Sequence, residues 1–308
     1  MSKLDFGGRV AIVTGAGSGM GREHAVTLAS RGARVIANDI AAERAKETVG
    51  LITDAGGVAV ADSHNIVDHA ADLIGTAINE YGQLDIVVNN AGIARFGLFW
   101  EQDPQEWWQV FETHVRGTVE VSRHAFPHLI KSGTGRLINI SSSAMLGAPL
   151  ASAYSAAKAA IWGLGNTLAL EAKDTGVQVT TVQPSAWTPM TEGAFDDPAV
   201  RQVLKEKMPP SAVSAFIAWL AHQDTPIYGE CFQTSGNSAG RTSFAALPRI
   251  RASENTPEAW ADAAGALMQD GELSALRSVS ESFRAELVFL DPRMDDVLPR
   301  EAAAVTAK

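Results

Sequence analysis

Two side chains four residues apart, Tyr154 and Lys158, stand among Ala and Ser in the stretch SAYSAAKAA. On a helix that spacing puts both on one face, one turn apart. A phenol at its ordinary pKa of about 10 is a poor base at neutral pH. A cation within roughly 5 Å favours the phenolate, and bringing the group into working range takes roughly 3–4 kcal/mol of differential stabilisation. A phenolate so placed can take the hydroxyl proton of an alcohol while the carbon loses hydride to a bound cofactor. The small neighbours leave room for both. Taken alone, the spacing is equally that of an exposed i, i+4 pair on a helix surface.

The hydride acceptor has a place in the stretch TGAGSGMG, Thr14 to Gly21, where a strand ends and a helix begins. Gly15, Gly19 and Gly21 let the backbone approach a pyrophosphate, and Ser18, Gly19, Met20 and Gly21 open a helix whose free N–H groups and positive dipole end attract the anion. The glycine spacing is G-x-x-x-G-x-G, not the common G-x-G-x-x-G. The second strand ends at Asp39, eighteen residues past Gly21. A carboxylate there accepts hydrogen bonds from ribose hydroxyls and repels a 2′-phosphate, which favours NAD over NADP. Arg22 and Arg34 lie in the same part of the chain and act against that preference. At the end of the third strand Asp62 and Ser63 are placed to meet the adenine edge. Asn90 and Gly92, in NNAG after the fourth strand, are placed against the ribose.

Positioning these groups requires a frame of strands and helices in strict alternation. Short β-branched runs begin at Arg9, Arg34, Gly57, Leu84, Gly135 and Val177, with a weaker one at Gly229. Amphipathic segments lie between them, at about 20–31, 41–55, 67–81, 104–131, 152–175 and 211–222. Continuous apolar strands separated by helices predict a parallel sheet covered on both faces. The expected fold is α/β: a Rossmann-like, doubly wound, seven-stranded parallel sheet of order 3-2-1-4-5-6-7, with ligands beyond the carboxyl ends of its strands. Residues 1–244 form the nucleotide-binding catalytic domain. Residues 245–308, with a helix in PEAWADAAGALMQ and a frayed end, form a C-terminal extension packing on that domain.

In their order along the chain TGAGSGMG, NNAG and YSAAK resemble the short-chain dehydrogenase/reductase family, from Phe6 to at least Arg241. The resemblance implies Tyr154 as general acid/base, Lys158 as its electrostatic partner and ribose ligand, and a substrate-binding serine about thirteen residues before the tyrosine. That count reaches Ser141; aligning by the strand INIS favours Ser142, and Ser141 is preferred. Where the family carries a relay asparagine, this chain has His114 in HVRG. It either bridges to water, with a titration near neutrality that alters the pH profile, or is a plain helix residue. Thr188, in PSAWTPM, is the equivalent of a threonine that contacts the cofactor carboxamide, and Trp187 walls the nicotinamide. GREHAV, ANDI, HVRG and the TPEAW tail further resemble the (3R)-hydroxyacyl-CoA dehydrogenases of type-2 peroxisomal multifunctional enzymes, a branch of the family.

The implied reaction is NAD-dependent interconversion of a secondary alcohol and a ketone, with a 3-hydroxyacyl thioester as leading substrate class. A free hydrophobic alcohol of sterol or terpenoid type is the next reading, and a non-catalytic dinucleotide-binding sensor the third. Ile93, Met145, Leu146, Trp187, Met190 and Phe195 would wall an apolar pocket, a lid could form over 190–210, and Arg95 and Arg241 could meet CoA phosphates. Trp100, Trp107 and Trp108 are expected to pack the helix near residue 110. The helix after Lys158 looks by resemblance like a subunit interface, so a homodimer or homotetramer is expected.

The composition narrows the setting. With 25 Lys and Arg against 35 Asp and Glu, net charge −10, the chain repels phosphate backbones, so nucleic acid is not an expected partner. No apolar run approaches the roughly 18 residues of a membrane span, and MSKLDFGGRV has no signal-type apolar region. No metal site is expected. One cysteine, Cys231, and a last stretch VTAK that is not a peroxisomal address point to the cytoplasm.

Overall fold

The computed structural model of the protein describes residues 4–188, 197–276 and 278–297. Two compact units divide it, Met1–Arg241 and Thr242–Lys308. In the first, strands β1 (Val10–Thr14), β2 (Arg34–Asn38), β3 (Val58–Asp62), β4 (Ile86–Asn89), β5 (Arg136–Ile140), β6 (Gln178–Ser185), β7 (Cys231–Ser235) and β8 (Ser238–Thr242) make one sheet of order β3-β2-β1-β4-β5-β6-β7-β8. β8 adds an eighth strand to the seven expected. It returns through the two-residue turn Gly236–Asn237, with Gly236 at φ +52°, and a connection that short joins only antiparallel neighbours. Ser238 to Arg241 are exposed, and with no buried face the strand leaves no apolar signature in the sequence.

The helices of this unit are α1 (Gly19–Ala29), α2 (Ala42–Asp54), α3 (Ala70–Tyr81), α4 (Pro104–Phe111), α5 (Gly117–Ser132), α6 (Ser152–Glu171), α7 (Pro198–Lys207) and α8 (Pro210–Ala221). Strand side chains alternate between two cores. Ala11 and Val13 of β1 with Ile86 and Val88 of β4 join Leu28 of α1 and Ile217 of α8. Val10, Ile12 and Val87 join Leu73 of α3 and Val121 and Leu129 of α5 on the other face. Burial of both faces is why these strands read as unbroken V/I runs. β1 pairs in parallel with both β2 and β4, so the chain reverses its winding direction at β1, and the crevice opens above that point.

The expected helix 104–131 is interrupted. α4, capped by Asp103 accepting from Gln105 and Glu106 N–H with Pro104 in its first turn, passes through a π-helical turn, Glu112–Arg116, into α5. Trp107 stacks on Phe111, ring centroids 5.8 Å apart. Trp108, though exposed, sets its ring edge-on to Trp107 (4.9 Å) and Phe111 (5.8 Å), whereas Trp100 corrects the packing expectation: it is exposed. α7, capped by Asp197, lies in the segment anticipated as a lid.

The second unit holds β9 (Phe244–Ala246), α9 (Pro257–Leu267), β10 (Ser274–Leu276), α10 (Val279–Leu290) and α11 (Met294–Val297), with β9 and β10 antiparallel. Thr256 caps α9 and Ser278 caps α10. No helix among the described residues is long and apolar enough to cross a membrane.

Candidate active site

A cleft of about 880 Å³ lies over the carboxyl ends of the strands and runs from Asp39 and Arg44 past the start of α1 to Tyr154 and Lys158. Its centre is the glycine turn. A Cβ on Gly21 would stand 2.1 Å from the Gly15 carbonyl oxygen and 2.5 Å from Asn90 Nδ2, so no larger residue fits. The Asn90 amide donates to the carbonyls of Thr14 (3.0 Å) and Gly15 (3.3 Å). It straps the β4 loop to the turn, and Asn90 lines the cleft. Ser18, Gly19 and Met20 line the cleft at the first turn of α1, where helix N–H groups lack intrahelical partners. Thr188 is buried nearby, its Cβ 4.0 Å from where a Cβ on Gly19 would lie.

At one end Asp39 faces the cleft with its carboxylate held by the backbone N–H groups of Gly17 and Ala41, both at 2.9 Å. The two arginines that sequence proximity set against it are committed elsewhere. Arg22 binds Glu47 at 2.9 Å, Thr48 at 3.0 Å and the Gly17 carbonyl. Arg34 reaches the Gly8 carbonyl and lies over the Tyr81 ring. Arg44, which sequence reading passed over, is the arginine that lines the cleft. Asp62 and Ser63 do not line it. Asp62 is buried and accepts from Asn38 (2.7 Å), Thr76 (2.8 Å) and the His64 backbone (3.0 Å), with the His64 ring at 2.8 Å. Burial pushes its pKa up, but these hydrogen bonds outweigh burial and hold it below the ordinary value. Ser63 is exposed, and His64 and Asn65 occupy the rim instead.

At the other end α6 presents Tyr154 and Lys158 together, the ammonium 5.4 Å from the centroid of the phenol ring. Lys158 is buried and donates to the Ile140 carbonyl at 2.7 Å, and burial lowers its pKa to about 7. Burial also raises the Tyr154 pKa, which a hydrogen bond from Ser142 only partly offsets. Both groups are desolvated, and desolvation disfavours both charges.

The choice between serines is corrected as well. Ser141 is buried and its hydroxyl donates to the Lys158 carbonyl at 2.7 Å; it pins α6 to β5. Ser142, one residue on, accepts from Ala144 N–H at 3.1 Å and bonds Tyr154. With a backbone donor on one lone pair, the Ser142 hydroxyl keeps its own proton free to donate toward Tyr154. Ser142→Ala is expected to lower kcat by about 10²-fold, the cost of losing one oxyanion-type donor. Ser141→Ala is expected to leave kcat within a few-fold and cost about 1 kcal/mol of stability. Steady-state kinetics and urea unfolding of the two variants check this, and the reverse pattern would return the role to Ser141.

His114 sits in the π turn, a feature frequent at functional sites, with its ring edge-on to Tyr154 at 5.3 Å. Its Nε2 lies 2.7 Å from the Ile93 carbonyl and 3.2 Å from the Ile93 backbone nitrogen, so both polar groups of Ile93 meet one ring nitrogen. Nδ1 is buried without a hydrogen-bond partner among the described residues. Burial, and next the Lys158 charge, lower its pKa to about 3, so the expected titration near neutrality is corrected: the imidazole is neutral. A Cβ on Gly92 would stand 2.0 Å from His114 Cε1, so Gly92, which lines the cleft, also supplies room for the histidine.

Of the expected apolar wall, Ile93 and Trp187 line the cleft, joined by Leu204 and Met208, which sequence reading missed. The Trp187 N–H bonds the Met208 carbonyl at 2.7 Å, a pairing between distant segments that no local pattern encodes. Met145 turns toward Ser141 and Gln183, and Leu146 is exposed. Met190 and Phe195 lie outside the described residues. Arg95 and Arg241 do not line the cleft; Arg241 pairs with Glu230 at 3.2 Å, and Arg95 binds the Ala94 carbonyl and lies 3.9 Å from Glu106.

Comparison with known proteins agrees with this geometry. The family pattern described as short chain dehydrogenase matches residues 9–199. The peroxisomal multifunctional enzyme type 2 of Drosophila melanogaster is 36% identical over 247 residues, 77% of this chain and 40% of that protein. Its counterpart from Mus musculus is 35% identical over 275 residues, 85% of this chain and 37% of that protein. The chain thus spans about two fifths of the length of these curated relatives. A short chain dehydrogenase from Mycobacterium avium, solved as a crystal structure, has a TM-score of 0.78 at 36% identity, over 88% of this chain and 97% of that one. The full-length Drosophila enzyme has a TM-score of 0.78 at 29% identity, over 94% of this chain and 50% of that one. A match that begins at β1, takes in the glycine turn and continues past the catalytic helix leaves one assignment: the chain is an oxidoreductase of the short chain dehydrogenase family.

Proposed function

We propose that the protein is an NAD-dependent dehydrogenase interconverting a secondary alcohol and a ketone, with a 3-hydroxyacyl thioester as its leading substrate. The observation that carries this is the convergence of Ser142, Tyr154 and Lys158 in the cleft that also holds the glycine turn. The residues present suit a nicotinamide dinucleotide. The turn around Gly15 and Gly21 is closed down to backbone, α1 offers its N-terminus to a pyrophosphate, and Asp39 stands where ribose hydroxyls would bond. When bound, the cofactor supplies a hydride acceptor and, in its oxidised form, a positive ring.

The protein's own groups do the rest. Ser142 donates to the substrate oxygen, and Tyr154 takes the hydroxyl proton on oxidation and returns it on reduction. Lys158 protonates near neutrality and adds positive charge beside the phenol. Neutral His114, with a buried Nδ1 that has no partner among the described residues, fits a relay through water behind the lysine. Ile93, Trp187, Leu204 and Met208 exclude water from the reacting end.

NAD is preferred because the Asp39 carboxylate faces a 2′-phosphate, while Arg22 and Arg34 are engaged elsewhere. A specific observation favours a second substrate class, a free hydrophobic alcohol: among the described lining residues Arg44 and Lys158 are the Lys and Arg side chains of the cleft, and neither Arg95 nor Arg241 stands at its apolar end to meet CoA phosphates. A homodimer or homotetramer on α6 is supported by exposed Leu170 and a groove lined by Phe126, Leu164 and Leu168. The lone buried cysteine supports a reducing compartment, the cytoplasm.

The test is kcat/KM for a 3-hydroxyacyl-CoA and a cyclic secondary alcohol, each with NAD and NADP. The thioester with NAD is expected to be best by at least tenfold, and Asp39→Ser to shift the NAD/NADP ratio toward NADP by about 10–100-fold, or about 1–3 kcal/mol. Preference for the cyclic alcohol would install the second class. An unmoved coenzyme ratio would remove Asp39 from cofactor choice.

A further inference from the structure

Ser152, the first residue of α6, stands two residues before Tyr154 and lies at the centre of a hydrogen-bond chain that the reaction as described leaves unused. Its hydroxyl accepts from Trp107 Nε1 at 2.9 Å and donates to Gln102 Oε1 at 3.2 Å. Gln102 Nε2 in turn donates to the Arg95 carbonyl at 3.3 Å. A second tie runs in parallel, from Gly97 N–H to the Leu150 carbonyl at 2.8 Å. Leu150 holds φ +65°, the one positive φ among the described non-glycine residues. That conformation costs an ordinary side chain on the order of 1–2 kcal/mol, so surrounding structure must enforce it.

Both ties join the same two segments. One is the 93–103 loop, whose Ile93 lines the cleft and whose Phe96, Phe99 and Trp100 are exposed along its course. The other is the turn that launches the catalytic helix. A serine hydroxyl is suited to this junction, because it accepts from an indole that can only donate and donates to an amide oxygen that can only accept. Alanine at this position would break both bonds, whereas threonine keeps the hydroxyl.

Resting on the reading of Tyr154 as acid/base, we propose that Ser152, with Gln102 and Trp107, is a positioning residue that locks the apolar 93–103 loop to the catalytic helix and so sets how a hydrophobic substrate is held against the phenol. The cofactor end of the cleft, built from the glycine turn and Asp39, touches none of these residues. Loosening the clamp should therefore raise KM for the alcohol while leaving dinucleotide affinity and the pH profile of kcat in place.

The experiment uses the full chain with Ser152→Ala, Ser152→Thr and Gln102→Ala. Hydrogen–deuterium exchange of 93–103, KM for the alcohol and NADH affinity by fluorescence titration are the readouts. Ser152→Ala and Gln102→Ala are expected to speed exchange of 93–103 several-fold and raise KM about tenfold, with NADH affinity within twofold of wild type; Ser152→Thr is expected to restore both. The clamp is overturned if exchange stays within twofold of wild type in both Ala variants, or if NADH affinity falls by the same factor as alcohol affinity, the mark of general loosening. If wild-type protein turns over no alcohol with either dinucleotide, the acid/base reading falls, and the exchange of 93–103 still decides whether the clamp exists. Should Ser152→Ala fail to fold, Gln102→Ala carries the same comparison.

Discussion

Tyr154→Phe is expected to lower kcat by about 10³-fold or more while NADH still binds with near wild-type affinity. Proton transfer by a positioned side chain is worth about 10²–10⁴-fold, and in this cleft no second group stands ready to replace it. His114 is neutral with a pKa of about 3, Ser142 is a donor that rests on Tyr154, and Lys158, tied to the Ile140 carbonyl, lies 5.4 Å from the centroid of the phenol ring. Phenylalanine keeps the edge-on contact with His114 and removes only the hydroxyl, so the ring and the α6 backbone remain in place. The turn around Gly21 and the Asp39 carboxylate, which would hold the dinucleotide, are formed by other elements. Single-turnover rates and NADH fluorescence titration separate the two effects. A variant that keeps more than a tenth of wild-type kcat would remove Tyr154 from the chemistry, and an unchanged biological output would favour the dinucleotide-binding sensor.

Stability is expected to fall by about 2 kcal/mol per buried histidine between pH 7.5 and pH 5, about 4 kcal/mol for the pair. His24 and His114 are both buried, and burial is the largest cause that lowers each pKa from 6.5 to about 3. His24 Nδ1 is 2.7 Å from Ser214 Oγ, which joins α1 to α8. Between pH 6.5 and 3 the unfolded chain binds protons that the native state refuses, so stability rises with pH across that window. The contribution is complete above 6.5 and lost as pH falls toward 3. Lys158, lowered from 10.5 to about 7 by burial, follows the same sign in a higher window, with stability rising from pH 7 to 10.5; the part of it between pH 7.5 and 7 adds about 1 kcal/mol to the histidine loss. Asp62, held below 3.8, contributes its loss below that value, so pH 5 leaves it out of the comparison. Urea midpoints at the two pH values measure the effect. His24→Gln, which keeps a polar group at Ser214, is expected to remove about half of the acid loss. An acid slope identical in wild type and variant would show that His24 is charged, or water-exposed, in the native state.

Much of the site was legible because its parts are local. The i, i+4 spacing of Tyr154 and Lys158 survives in any helix, and burial of both sheet faces writes each strand as an apolar run. The glycine turn declares itself through residues that tolerate no Cβ, as Gly21 shows against the Gly15 carbonyl. These are properties of a few neighbouring residues and the period of their backbone.

What tertiary structure decided depends on distant partners. Ser141 and Ser142 are chemically identical and adjacent; one is buried against Lys158 and the other meets Tyr154 because they stand between the end of β5 at Ile140 and a short 3₁₀ turn that begins at Ser143, where alternate side chains point to opposite sides. His114 reads as a group that titrates near neutrality until Ile93, Gly92 and Lys158 close around it. Asp62 reads as a ligand until Asn38, His64 and Thr76 consume its oxygens. The types and spacing of the residues determined by themselves the sheet and the chemistry it can host; protonation, and the question of which hydroxyl faces the reacting atom, depend on burial and hydrogen bonds from residues far along the chain, which no local period encodes.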